Sequence, residues 1–292
     1  MKPVRFLNEK QKAFQKLMET LCYSRQSWQV WSDFVVLSAI SISNVCDQAG
    51  ETHDKRERRY MDIINGYSEA ERALFPKMLA IVVEALEVNP DQDFLGEMFM
   101  ALELGNHYRG QFFTPYCICE CMAKMEINEK SKKELSKPFV TVFDCACGAG
   151  ALLIAARNAL KPCNIDWSTG ALFVAQDIDE LAGLMCYIQL SLLGCAGYIV
   201  IADSLLYPVV GLDNNPLLPI RGEHQSMWYT PLMYHEVWQT RIRLAQLEYA
   251  LRDIFPSESN HPAERGEKGD VPIQAEQTAL LTATEGGQLC LF

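Results

Sequence analysis

The chain has 292 residues, about half of them apolar, enough for one large domain or two modest ones with a real core. Its net charge of −11 opposes strong, free-standing binding to a phosphate backbone, which wants a basic face. Eleven cysteines accompany a charged start, Met1-Lys-Pro-Val-Arg-Phe6, with no secretory pattern, so reduced thiols and a cytoplasmic setting are expected.

Residues 7 to 105 read as mostly helical. Phe14, Leu17, Met18 and Leu21 recur at helical spacing. Ser32-Asp33 reads as the cap of a helix from Phe34 to about Cys46, and the apolar run Phe34 to Val45 is too short to span a bilayer. Glu51 to Ile64 is charged, then apolar on one face. It holds the one candidate basic cluster, Lys55-Arg56-Glu57-Arg58-Arg59, which reads as a solvated face rather than a phosphate contact. Ser68-Glu-Ala-Glu71 fits a helix start that continues through Phe75 to Leu86, with Pro76 either kinking it or opening a fresh first turn. Asn89-Pro90-Asp91 is a break. Phe94 to Leu104 is a further amphipathic helix, closed by Gly105-Asn106.

Gly110 to Pro115 is a loop, with Thr114 as cap and Pro115 as first residue of the next helix. Cys117, Cys119 and Cys121 alternate, which is not a zinc-ligand spacing, so no metal is expected. Lys130 to Lys137 is a polar connector. Val140 to Phe143 then reads as a buried strand, Gly148-Ala149-Gly150 as a tight turn, and Ala151 to Leu160 as a helix. Strand, glycine turn and helix in that order can cradle a nucleotide, or can be a tight turn in any α/β protein. Asp144 ends the strand, where open α/β sheets bind ligands, and a carboxylate there suits an ammonium group rather than a pyrophosphate.

Ala171 to Ala175 is the second strand and ends at Gln176-Asp177-Ile178-Asp179. Asp177 is placed to accept from ribose hydroxyls, while Asp179 caps the next helix, Leu181 to Leu193. Ile199 to Ile201 is a third strand. Asp203 after it is either a ligand contact or a turn acid. A proline-rich loop runs to about Gln225. Trp228-Tyr229 can stack on a base or sit in the core. Pro231 to Phe255 reads as one long helix, with Val237, Trp238, Arg241, Leu244, Leu251 and Ile254 among its periodic positions. From Pro256 the chain reads as a flexible acidic linker, ending in Gln288-Leu-Cys-Leu-Phe292.

Four segments in order, Gly110-Gln-Phe-Phe-Thr-Pro115, Asp144-Cys-Ala-Cys-Gly-Ala-Gly150, Gln176-Asp-Ile-Asp179 and Ala202-Asp-Ser-Leu205, resemble the adenine-specific DNA methyltransferases found as modification subunits of type I restriction systems. The separation between Gly150 and Asp177 exceeds the ~20 residues typical of dinucleotide sites and resembles the spacing of that family. The resemblance implies S-adenosylmethionine as cofactor, held by Phe113, Thr114, Asp144, Gly148, Gly150, Asp177 and Asp203, with the 110–115 loop folded over its methionine part. It implies DNA as substrate, with a partner subunit.

The family's Asn/Asp-Pro-Pro-Tyr/Phe tetrad, which holds the flipped adenine, is missing. The nearest text is Asp213-Asn-Asn-Pro-Leu217, which makes Asn215 and Pro216 the candidate catalytic pair. The expected fold is therefore α/β: a Rossmann-like S-adenosylmethionine-binding core over residues 106–255, reduced in its second half, with a helical region at 1–105 and a tail at 256–292. A half-sheet must also cover its exposed edge, by a helix or another subunit. The expected function is adenine-specific DNA methyltransferase or modification subunit. The alternative is a catalytically inactive S-adenosylmethionine-binding partner. The C-terminal Gln288, Leu289, Leu291 and Phe292 resemble the bacterial sliding-clamp-binding peptide, a short apolar ligand for a hydrophobic groove.

Overall fold

The computed structural model describes residues 8–104, 113–128, 138–254 and 288–290. Among the described residues seven helices precede the sheet: α1 (Glu9–Leu21), α2 (Ser27–Cys46), α3 (Glu51–Ile64), α4 (Glu69–Arg72), α5 (Leu74–Val88), α6 (Phe94–Ala101) and α7 (Tyr116–Glu126). There follow β1 (Val140–Asp144), α8 (Ala151–Leu160), α9 (Trp167–Gly170), β2 (Ala171–Asp177), α10 (Glu180–Leu192), β3 (Ala196–Ile201), β4 (Ser226–Tyr229), α11 (Glu236–Ile254) and β5 (Gln288–Cys290).

Local sequence explains most of these boundaries. Asn8 and Gln11 form a reciprocal capping box at the start of α1, and Ser68 and Glu71 do the same for α4. Pro76 lies in the first turn of α5, which begins afresh at Leu74 after α4 ends at Arg72. The third helix keeps its expected bounds. The second differs: it begins at Ser27, and Asp33 is not its cap but a buried acceptor for the Tyr67 hydroxyl at 2.6 Å. With 20 residues and a mean hydropathy of 1.2, α2 is long and apolar enough to cross a membrane, contrary to the shorter run read from sequence. Yet 61% of that window is buried inside the protein, so it serves as a core helix.

The β-branched and aromatic run of β1 is buried on both faces, as a central parallel strand demands. The strand order is β4-β3-β2-β1-β5. β1 and β2 pair in parallel from Val140↔Ala171 to Asp144↔Ala175, and β2 and β3 from Leu172↔Ala196 to Asp177↔Ile201. All three therefore end at one edge. Side chains alternate between two cores. Ala171, Phe173 and Ala175 join α8, α10 and the N-terminal helices, while Leu172, Val174, Tyr198 and Val200 join Trp238 and Ala245 of α11. One continuous cluster runs from Phe14 through α2 and α6 into α8 and α10, so the helical N-terminal half and the sheet share a core.

Two elements differ from the sequence reading after β3. Residues 226–229 form β4, antiparallel to β3 (Tyr198↔Tyr229). Only four residues long and flanked by loop, it carries too short a pattern to read. Its Trp228 is buried against Tyr187 with the Arg56 guanidinium 3.7 Å above the ring, so it is core and not a base-stacking platform. The expected single helix from Pro231 is broken: Pro231–Tyr234 is a 3-10 turn, and α11 starts at Glu236. At the other edge, Gln288–Cys290 pairs in parallel with Thr141–Phe143 as β5, so this part of the expected flexible tail is a strand that covers the open side of β1. Leu291, Phe292 and the linker at 255–287 lie outside the described residues.

Candidate functional site

At the carboxyl edge of β1 the chain turns sharply. Asp144 Oδ1 accepts from Ala146 N at 3.0 Å, and Cys147 N donates to Gln176 O at 3.0 Å, which pins the turn to the end of β2. Gly148 and Gly150 both take positive φ, +53° and +96°. A Cβ on Gly148 would lie 3.0 Å from the Phe113 ring, and one on Gly150 would lie 2.9 Å from Cys186 Sγ. The two glycines thus do different work. Gly148 admits Phe113 over the turn, and Gly150 lets α8 start close against α10.

Asp177 holds the turn from the other side. Its Oδ2 accepts from Gly148 N at 2.8 Å and its Oδ1 from Asp179 N at 2.9 Å. Burial raises its pKa despite these hydrogen bonds. Asp179 caps α10 by accepting from Ala182 N at 2.9 Å, as its position implies.

A hollow of ≈120 Å³ opens over this turn, walled by Phe113, Thr114, Asp144, Gly148 and, from the helical half, Asp93. The Asp144 carboxyl is pushed up to about 6, first by burial and further by the nearby Asp177 charge. Asp93 is likewise pushed up to about 6 by burial, which outweighs the hydrogen bonds it accepts from Gln189 Nε2 (2.7 Å) and Gly96 N (2.9 Å). Two carboxyls in one hollow, both short of water, favour a positively charged guest. The hollow is smaller than the ~300–1,000 Å³ of drug-sized sites. A second cavity of ≈450 Å³ lies beyond the Phe113–Thr114 wall and shares Asp93 with it. The donor set therefore fits the ammonium-bearing end of a ligand, and movement of Phe113 would join the two spaces.

Residues 92–217 match the family described as N-6 DNA methylase. The match covers these residues alone. A comparison with curated proteins finds no match. The methylase segment opens one residue before Asp93 and contains every expected cofactor residue. Of these, Phe113, Thr114, Asp144 and Gly148 line the hollow, while Asp177 and Gly150 shape it from behind. Thr114 does not cap α7. Pro115 occupies that position, with no side-chain hydrogen bond to the helix. Asp203 holds its own turn, accepting from Leu205 N (2.9 Å) and Leu206 N (3.1 Å), and is not among the residues that wall the hollow.

Asn215 and Pro216, at the far end of the methylase segment, are also absent from that wall. The Asn215 side chain accepts from Leu217 N at 3.0 Å, and the Pro216 carbonyl accepts from the Tyr198 hydroxyl at 2.9 Å. Tyr198 belongs to the core on the α11 side of the sheet, away from α8 and α10.

Two site residues escaped the sequence reading. Asp93 caps α6, and Gln189 donates to both Asp93 and the Ala149 carbonyl (2.9 Å) while accepting from Leu95 N (3.1 Å). This fully buried glutamine couples α6, the glycine turn and α10. The available signals were an Asp directly before an apolar helix and a glutamine among the buried positions of α10. Three of the four cations in the basic cluster of α3 have intramolecular partners. Lys55 pairs with Glu51, and Arg59 makes a two-pronged pair with Glu180 (2.6 and 2.9 Å). Arg56 donates to Ser43 Oγ (2.7 Å) and the Met227 carbonyl (2.9 Å). Among the described residues no group of His, Cys, Asp and Glu could hold a metal ion, and ten cysteines are free thiols.

Proposed function

We propose that the chain is an S-adenosylmethionine-dependent, adenine-specific DNA methyltransferase of the modification-subunit kind, working with a partner that supplies much of the DNA contact. The observation that carries this reading is the acid-walled hollow at the end of β1, inside the methylase segment. S-adenosylmethionine brings an ammonium and a sulfonium, and its methyl group is what the reaction transfers. Asp144 and Asp93 would hold the amino-acid end, Phe113 and Thr114 would close over it, and Asp177 would keep Gly148 N in place beneath it. Their task is orientation and exclusion of water, the main aids to a direct in-line transfer.

An acidic chain with three of the four cations of its candidate basic cluster paired internally needs another source of affinity for phosphates, which supports the partner. In this reading the target base is handled by residues other than Asn215 and Pro216, which do not wall the hollow. The C-terminal peptide remains a candidate ligand for a sliding clamp.

The test is calorimetry with S-adenosylmethionine on the wild type and Asp144→Ala, followed by transfer of labelled methyl to adenine in DNA. Binding lost in Asp144→Ala, and transfer retained in Asn215→Ala, is the expected pattern. Absence of binding to the wild type would overturn the cofactor assignment. Transfer abolished by Asn215→Ala would return the chemistry to that residue.

A further inference from the structure

The inner side of α11 is settled: Trp238 and Ala245 are buried on the sheet, with Ile242 and Tyr249 packed beside them. Trp238 Nε1 donates to the Ser168 carbonyl at 2.7 Å, and Arg241 donates to the carbonyls of Thr169 and Pro138. The same helix has a second apolar stripe. Val237, Leu244, Leu247 and Leu251 are 36%, 55%, 56% and 42% exposed among the described residues. With Thr240, they fall at successive a and d positions of a heptad that starts at Val237, and Ile254 continues it in sequence. At 3.6 residues per turn this stripe lies about 140° around the helix from the buried face. A surface helix needs one apolar face to dock on its own domain. α11 has two.

We infer that the outer stripe of α11 is a dimer surface, taken by α11 of a second copy of this chain in a parallel, in-register pair. The flanking charges select that occupant. In the heptad frame Arg243 is a g position and Glu248 the following e position, both exposed. In a parallel pair the g residue of one helix faces the next e residue of the other, so Arg243 meets Glu248 of the second copy, and the contact repeats across the twofold axis. The surface is thus complementary to itself. The helix is already folded and anchored by Trp238, so pairing carries little ordering cost, which offsets the short length of the seam. The axis would run along the exposed side of α11 and leave the hollow at β1 free on each copy.

The experiment is sedimentation of the full chain over a range of micromolar concentrations, with circular dichroism as a folding control. The wild type is expected to approach twice its 33.0 kDa mass. Leu244→Glu, which buries a charge at the seam in both copies, should weaken the dimer by at least about a hundredfold while the circular dichroism spectrum of the folded chain is unchanged. Arg243→Glu should weaken it about tenfold, and the double reversal Arg243→Glu with Glu248→Arg should restore it. A wild type that stays monomeric overturns the inference, whether another protein's helix or the chain's own residues 255–287 cover the stripe. A dimer indifferent to Leu244→Glu, or a double reversal that fails to restore, would also overturn it.

Discussion

Asp144→Asn is expected to stabilise the ligand-free protein while destroying its cofactor binding. In the folded chain the Asp144 carboxyl keeps its proton up to about pH 6, because burial penalises its charge. In the unfolded chain it ionises near 4. Below pH 4 both states hold the proton and the group makes no difference. Between pH 4 and 6 the unfolded state releases it first and is favoured. Above pH 6 the full cost stands, two units of pKa at about 1.36 kcal/mol each, or about 3 kcal/mol. Asparagine can still accept from Ala146 N and carries no such cost. Urea unfolding should therefore find Asp144→Asn about 3 kcal/mol more stable at pH 7.5, with the gap shrinking to about 1 kcal/mol at pH 4.5. Asp93 is present in both proteins and cancels. Calorimetry should show wild-type affinity for S-adenosylmethionine rising as pH passes through 6, and little binding by the variant. A variant less stable than wild type at pH 7.5, or a gap that does not narrow in acid, would refute the idea that the carboxyl is held uncompensated in the hollow.

Gly148→Ala should lose cofactor binding and about 1–2 kcal/mol of stability, because the turn needs φ of +53° and the new Cβ meets Phe113. Calorimetry and denaturant melts would show it. Gln189→Leu should cost about 2–4 kcal/mol in urea unfolding, since Leu95 N and the Ala149 carbonyl lose a buried partner and Asp93 keeps only the donor from Gly96. Arg56→Ala should cost about 3 kcal/mol by removing one buried and one part-buried hydrogen bond and the Trp228 contact. On the proposed function it should also leave the salt dependence of DNA association unchanged, because this cation is turned inward.

Sequence was most informative where one local rule governs an element. The glycine turn, the α8 run and the Asp179 cap depend on residues within a few positions of each other, and the structure places them as read. Asp33 and Arg56 show the opposite case. Each looks like a surface feature of its own helix, a cap or a charge cluster. Each is instead buried against a distant partner, Tyr67 in the first case and Trp228 with the Met227 carbonyl in the second. Tertiary contacts across 34 and 171 positions leave no periodic trace. The hollow itself was half legible. Asp144, Gly148, Phe113 and Thr114 could be named from their motifs, but Asp93 reaches it, held by Gln189 of α10, only because α6 packs on α10. The outer stripe of α11 is visible in the sequence only as periodicity, mixed with the buried Trp238 face. Periodicity marks an apolar face, and only packing says whether the chain itself covers it.

The pairing of Gln288–Cys290 with Thr141–Phe143 changes how this protein should be handled at the bench. Those three residues lie directly beside the strand that leads to Asp144. Removal of the last five positions would take β5 from the edge of β1 along with the terminal peptide. Any change in behaviour after such surgery would therefore report on the sheet as well as on the peptide. Side-chain replacements at Leu291 and Phe292 alone leave that strand's backbone in place and are the cleaner way to ask what the end of the chain recruits.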